Sequence, residues 1–357
     1  MIKILHSADW HMDSPIQGRT PEQTKVLRQA LLQIPGQVAS VCRRENCDLM
    51  LLSGDLFDGP YTQAGYRAVY DALEEAAVPV FIAPGNHDPV IPGSPWLTEV
   101  WPENVHIFKH AAIESVALPA LDCRVYGFGF ESMECPGLLE NFRADQQEKY
   151  ALGVFHADAT QTSSPYCPIT ALQVERSELD YMALGHIHKG DSFRRGNTLC
   201  AWPGCGMGRG YDEQGEKNLL LVTVEDTASI RAIPLEGPRF YDWETPAGED
   251  PAQTLASLLP PAASEDFYRI TLTGASEPLD INGLKAALSR FPNLELRDKT
   301  VPPLDIWGSA GEDTFEGLYF HLLKEQLEGQ DERTKKQILL AAKISRQLLE
   351  KQEVQLQ

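Results

Sequence analysis

Five short apolar runs, each closed by a cluster of polar side chains, constrain this chain more than any other feature. "IKIL" (2–5) leads into "ADWH", "LMLLS" (49–53) into "GDLFDG", and "PVFIAPG" (79–85) into "NHDP". "YALGVFH" (150–156) ends on a histidine, and "YMALGHIH" (181–188) closes with two, His186 and His188. Runs this short and this apolar read as buried strands, and the helical stretches between the first three give a strand–helix–strand alternation. The expected class is α/β, with helices to about Glu45 and around 61–77. In open α/β folds the carboxyl ends of the strands carry the ligand sites, so five polar clusters at five strand ends can meet at one edge.

The residues in those clusters are metal-ligand types. "ADWH" offers Asp9 and His11, and "GDLFD" offers Asp55 and Asp58. "GNHD" offers Asn86, His87 and Asp88, "GVFH" offers His156, and "GHIH" offers His186 and His188. In an extended backbone residues i and i+2 face the same side, which lets the pair His186 and His188 converge on one point. Any one cluster alone is more simply a turn or a satisfied histidine. The ordered set of five, each behind an apolar run, is not. His6, His106, His110 and His321 stand outside it and read as ordinary core or surface histidines. Carboxylate, imidazole and amide oxygen suit Mn²⁺, Fe²⁺ or Zn²⁺, with Mn²⁺ the first expectation.

Composition narrows the class further. A net charge of −20 argues against nonspecific nucleic-acid wrapping, which rests on Lys and Arg neutralising phosphates. It leaves room for a phosphate-ester substrate, because divalent cations bring the positive charge where it is needed. Seven scattered cysteines without a C-x-x-C predict buried thiols rather than a disulfide framework or zinc ribbon. The first residues enter a strand-like run at once, and no run approaches the ~18 apolar residues of a membrane span. The expectation is a cytoplasmic protein with no membrane partner.

From Val105 the runs "VHIF", "IESVAL" and "CRVYGFGF" follow one another closely and predict an antiparallel stretch. Pro, Gly and acidic residues between Glu236 and Ser264 predict a linker with one short helix, and a domain boundary near 240. A β-α-β unit follows ("FYRITLTG", "INGLKAALSRF", "NLELRDK"), giving a domain over 241–311, and then two helical segments over 312–357. Phe315, Leu318, Tyr319 and Leu322 share one helical face, which serves either packing within the chain or docking of a partner.

The order D-x-H, G-D-x-x-D, G-N-H-D, H, G-H-x-H resembles the calcineurin-like metallophosphoesterase superfamily, with every element in place between residues 9 and 188. The resemblance implies a sandwich of mixed β-sheets flanked by helices, and two divalent ions. Asp9, His11, Asp55 and His188 would hold one ion, and Asp55, Asn86, His156 and His186 the other. Asp55 would bridge them, and a shared hydroxide would attack phosphorus. His87 would protonate the leaving oxygen, oriented by Asp58.

"HSADWHMDSP", "SGDLFD", "FIAPGNHDP" and the stretch from "DYMALGHIHK" to "PGCGMGRGYDEQGEKN" resemble the SbcD-like DNA repair exonucleases, in particular their YhaO-type branch. Asn218 departs from the glycine usual after "GEK". This narrower resemblance implies a nuclease domain over 1–240, a smaller α+β capping domain over 241–311 and a helical tail that docks on the coiled coil of an SMC-like ATPase. DNA ends would be the substrate, and a homodimer is compatible with it. The alternatives are a metallophosphoesterase for a small-molecule or nucleotide phosphate ester, and a non-catalytic scaffold. An intact ligand set speaks against the scaffold.

Overall fold

In β1 (Ile2–Ser7), Ile2 and Ile4 face one apolar cluster and Leu5 faces another, which is what a strand buried on both sides requires. The computed structural model describes residues 1–262 and 264–350. After β1 come α1 (Pro21–Glu45), β2 (Leu49–Leu52), α2 (Gln63–Ala76), β3 (Val80–Ile82) and the short α3 (Pro95–Thr98). Next are β4 (Val105–Ile107), β5 (Glu114–Leu118), β6 (Cys123–Gly127), β7 (Tyr150–His156) and α4 (Ala171–Ser177). Strands β8 (Tyr181–Gly185), β9 (Asp191–Arg195), β10 (Thr198–Trp202), β11 (Asn218–Val224), β12 (Ala228–Pro234) and β13 (Phe240–Pro246) follow. The chain continues through α5 (Pro251–Leu258), β14 (Phe267–Thr273), α6 (Ile281–Ala287), β15 (Leu294–Asp298), α7 (Phe315–Glu325) and α8 (Glu332–Leu349).

Two six-stranded mixed sheets form the core of the first compact unit, Met1–Asp242 with Glu265–Arg269. One has the order β12-β11-β1-β2-β3-β4, the other β5-β6-β7-β8-β10-β9. Ile4, Leu49, Leu51 and Phe81 from the first sheet and Val125, Leu152, Val154 and Tyr181 from the second fill the space between them. The other face of the first sheet packs on α1 and α2 through Leu27, Leu31, Val38, Val69 and Leu73. Phe128, Phe155, Met182 and Val174 of α4 cover the outer face of the second. Helix α1 starts where "TPEQ" places it: Thr20 caps Gln23 N–H, Gln23 caps back, and Pro21 takes a first-turn position whose N–H is not needed.

The antiparallel stretch expected from Val105 is only partly present. Strand β4 runs parallel to β3 in the first sheet, β6 runs parallel to β7 in the second, and only β5–β6 is an antiparallel pair. Apolar runs of equal length carry no label for the sheet they join, and here adjacent runs join different sheets. The expected linker also contains a strand, β13.

The second unit comprises Trp243–Ser264 and Ile270–Gln357. The succession β14–α6–β15 has the expected β-α-β order, with the first three residues of β14, Phe267–Arg269, counted in the first unit. Within the second unit, α7 and α8 keep much of their apolar surface in solvent: Leu318 is 55% exposed, Leu322 50% and Leu348 62%, while Ile338 and Ile344 are half-buried. Residues 351–357 of the expected tail lie outside the described residues. Among the described residues, no helix is long and apolar enough to cross a membrane.

Candidate metal centre

Each polar cluster follows the carboxyl end of a strand that lies in a parallel pair: β1, β2 and β3 in one sheet, β7 and β8 in the other. The loops after β1 and β2 run side by side, tied by Asp9 N–H to Gly54 O (3.0 Å), His11 N–H to Asp55 O (2.9 Å) and Met12 N–H to Leu56 O (2.9 Å). Their backbone is strained where the chemistry sits: Asp9 (φ 52°), His11 (48°), Asp55 (50°) and His186 (89°) all occupy positive φ. Non-glycine residues there persist only where the surroundings over-determine them, and such clusters favour functional sites. Glycine meets the tightest approach, since a Cβ on Gly185 would lie 1.8 Å from Ser53 O at the end of β2.

Asp88 holds the loops in register. Its carboxylate accepts from the amides of Gly85 (2.7 Å), Leu56 (2.7 Å), Asp55 (3.2 Å) and Phe57 (3.2 Å), so it fixes backbone rather than facing the site. His6 behaves as an ordinary core residue, with Nδ1 2.7 Å from Tyr181 OH and Nε2 2.7 Å from Ser53 Oγ. His110 and His321 are exposed, and His106 packs on Phe81 and Phe108.

The other six expected ligands converge around Asp55. His156 Nε2 lies 3.4 Å from Asp55 Oδ2 and 2.9 Å from Asn86 Oδ1, and His186 Nδ1 lies 3.3 Å from the same amide oxygen. On the other side His11 Nε2 is 3.8 Å from Asp55 Oδ2 and 3.0 Å from His188 Nε2. Asp9, His11 and His188 present donor atoms within 4.8 Å of one another, as do Asp9, Asp55 and His156. Second partners orient two of the rings. His156 Nδ1 donates to Ser53 O at 3.0 Å, and His188 Nδ1 donates to Glu213 Oε1 at 2.7 Å, which leaves each Nε2 lone pair facing the cluster.

The electrostatics ask for cations. Asp9 and Asp55 are both buried, and Asp9 Oδ2 has no hydrogen-bond partner among the described residues. Burial, reinforced by the neighbouring Asp55 carboxylate, pushes the Asp9 pKa well above the usual range. Burial also lowers His11 and His186 to about 4 and His156 to about 3, so these imidazoles are neutral ligands at neutral pH. Two carboxylates, four imidazoles and an amide oxygen in a largely buried pocket fit divalent metal ions, which supply the missing positive charge.

His87 stands apart from this set. Its Nδ1 is 2.9 Å from Asp58 Oδ1, and its backbone N–H donates to Asp55 Oδ1 at 2.9 Å. The hydrogen bond to Asp58 raises the His87 pKa, and the Asp58 carboxyl is held far below its ordinary value by His11, whose Nδ1 lies 3.6 Å away, and by the hydrogen bond to His87. His11, Asp58 and His87 also lie close enough to cradle an ion. Asp58 is already engaged on both oxygens, however, since Oδ2 meets Arg209 Nη1 at 3.2 Å.

Arg209 and Glu213 are absent from the expected set. They sit in "GMGRGYDEQGEK" after β10, where no strand end marks them, and the signal available was an Arg and a Glu four apart in a glycine-rich loop. Next to them a cavity of about 720 Å³ opens beside His186 and His188, lined also by Lys189, Glu213 and Lys217.

A calcineurin-like phosphoesterase domain matches residues 2–190, so the chain belongs to the calcineurin-like metallophosphoesterase family. Members of this family are phosphoester hydrolases that bind two divalent metals. Among its relatives, the uncharacterized metallophosphoesterase YhaO of Bacillus subtilis is 31% identical over 264 residues, covering 69% of this chain and 62% of YhaO. The match thus spans a little under two thirds of that relative. The SbcD subunit of nuclease SbcCD from the same organism is 24% identical over 295 residues, covering 69% of this chain and 73% of that protein. Its counterpart in Staphylococcus epidermidis is 24% identical over 274 residues, covering 66% and 70%.

Proposed function

We propose that this chain is a dinuclear-metal phosphodiester hydrolase acting on DNA ends, with Mn²⁺ as its preferred ion. The observation that carries the reading is the convergence of six donor side chains around buried Asp55, with His87 alongside but engaged by Asp58. Asp9, His11, Asp55 and His188 hold one ion, and Asp55, Asn86, His156 and His186 the other. Bound there, the ions supply the charge that polarises a phosphoryl group and acidifies water. The protein's own part is positional: Asp88 and the strained loops fix the ligands, and burial keeps the imidazoles neutral. With Nδ1 held by Asp58, His87 has Nε2 left to protonate the leaving oxygen.

DNA as substrate is supported by the relationship to the SbcD subunits of nuclease SbcCD. The net charge of −20 favours a second reading, hydrolysis of a small phosphate ester. Purified protein with Mn²⁺, given end-labelled single- and double-stranded DNA beside bis-p-nitrophenyl phosphate, separates the two. Shortening of labelled ends supports the nuclease. Turnover of small esters with no loss of label from DNA favours the second reading.

The second unit is proposed to act as the capping domain of the nuclease, with α7 and α8 docking on the coiled coil of an SMC-like ATPase. Support comes from their solvent-facing Leu318, Leu322 and Leu348, since a surface meant for a partner is not wholly used by its own core. Leu318→Asp with Leu322→Asp should then spare hydrolysis of the small diester while abolishing co-purification with the ATPase. Unchanged co-purification would remove the docking role from these helices.

A further inference from the structure

Arg209 joins two histidine–carboxylate pairs mainly through their carboxylates, and its Nη2 also lies 3.4 Å from His188 Nδ1. Its Nη2 donates to Glu213 Oε1 at 2.7 Å and its Nε to Glu213 Oε2 at 3.3 Å, a two-point grip that leaves the carboxylate one orientation. The backbone N–H of Arg209 donates to Glu213 Oε2 as well, at 2.8 Å. The other arm of the fork, Nη1, reaches Asp58 Oδ2 at 3.2 Å. Glu213 in turn receives His188 Nδ1, and Asp58 receives His87 Nδ1. One planar group thus touches the carboxylate behind a metal-facing imidazole and the carboxylate behind the acid imidazole.

A lysine could not do this, because an ammonium is a compact charge without a rigid fork. Position matters as well as charge. Asp58 comes from the loop after β2, Glu213 from the loop before β11, and His188 from the loop after β8. No backbone ladder ties Asp58 to Glu213 among the described hydrogen bonds, so the guanidinium is the direct link between the two carboxylates. Arg209 is only partly exposed, and desolvating it is tolerable because carboxylates face it on two sides.

We propose that Arg209 is a positioning residue that couples the two halves of the site, fixing Glu213 behind His188 and Asp58 behind His87 with one guanidinium. Seating of the ion at His188 and orientation of the acid at His87 then depend on the same side chain. The inference rests on the metal and acid roles assigned above, but its first test does not need turnover.

Mn²⁺ is titrated calorimetrically into metal-stripped full-length wild type, Arg209→Ala, Arg209→Lys, Glu213→Gln and the Arg209→Ala/Glu213→Gln double variant, with circular dichroism to verify folding. Loss of a partner behind a metal-ligating histidine typically weakens binding by ~10–100-fold. Arg209→Ala and Glu213→Gln should each weaken one Mn²⁺ site by that factor, and the double variant should lose little more than either alone. Arg209→Lys should recover only part of the loss. Millimolar guanidinium added to Arg209→Ala should restore affinity, where equal ionic strength as sodium chloride does not.

The second arm measures hydrolysis of a diester with a poor leaving group, at saturating Mn²⁺. Arg209→Ala and Asp58→Asn should each lower kcat, and their combination should fall no further. Unchanged Mn²⁺ affinity in a folded Arg209→Ala, or losses that simply add in either pair, would overturn the coupling. If wild type hydrolyses no diester, the proposed function fails while the calorimetric arm still decides the role of Arg209.

Discussion

Asp55→Asn should lose bound metal and hydrolysis together. The side chain is buried at the meeting point of both ligand sets, with His156 Nε2 at 3.4 Å and His11 Nε2 at 3.8 Å from the same oxygen. Asparagine keeps the volume and keeps an acceptor for the His87 amide, so the loop after β3 should survive the change. What it removes is the charge that the two proposed ions would share. Hydrolysis is then expected to fall to background, a loss of the order of the whole acceleration, ~10⁶-fold or more.

Stability should move differently. Without metal, wild type confines Asp9 and Asp55 together in a buried pocket, and removing one carboxylate relieves that repulsion. In chelator, Asp55→Asn should therefore melt at the same temperature as wild type or higher. Added Mn²⁺ should raise the melting temperature of wild type alone, because a ligand stabilises only the protein that binds it. A variant that still gained stability from Mn²⁺ and still hydrolysed diesters would remove Asp55 from the bridging role.

His87→Ala should behave in the opposite way, keeping the ions while slowing chemistry. Its imidazole is tethered by Asp58, which favours the protonated, proton-donating form. Loss of a positioned general acid costs ~10²–10⁴-fold, and the cost should appear on diesters with a poor leaving group. Substrates that leave as a stable nitrophenolate need little protonation and should be affected far less. Equal losses on both, with metal content unchanged, would exclude His87 as the acid.

That these donor side chains would meet was more legible in the sequence than which strands would pair to bring them there. Asp9, His11, Asp55, Asn86, His156, His186 and His188 stand directly behind or at the ends of apolar strands, and this punctuation survives in one dimension because the parallel strands of both sheets, not of one sheet as expected, end where these side chains meet. The division into two sheets was not legible, since "VHIF" and "CRVYG" have the same texture but pair with β3 and β7 respectively. Long-range pairing decides that, and no local propensity encodes it. Arg209 and Glu213 were missed for a related reason. Their role depends on reaching across to Asp58 and His188, and in sequence they are one arginine and one glutamate in a glycine-rich loop.

A pair of ions bridged by Asp55, with His87 outside the ligand sphere, is the feature on which the proposed chemistry depends. Anomalous diffraction at the manganese edge, from crystals grown with Mn²⁺, measures it directly. The predicted result is two peaks about 3.5–4 Å apart, as in two-metal hydrolases generally, with Asp55 touching both and His87 touching neither. A single fully occupied ion, or His87 bound to metal, would contradict it.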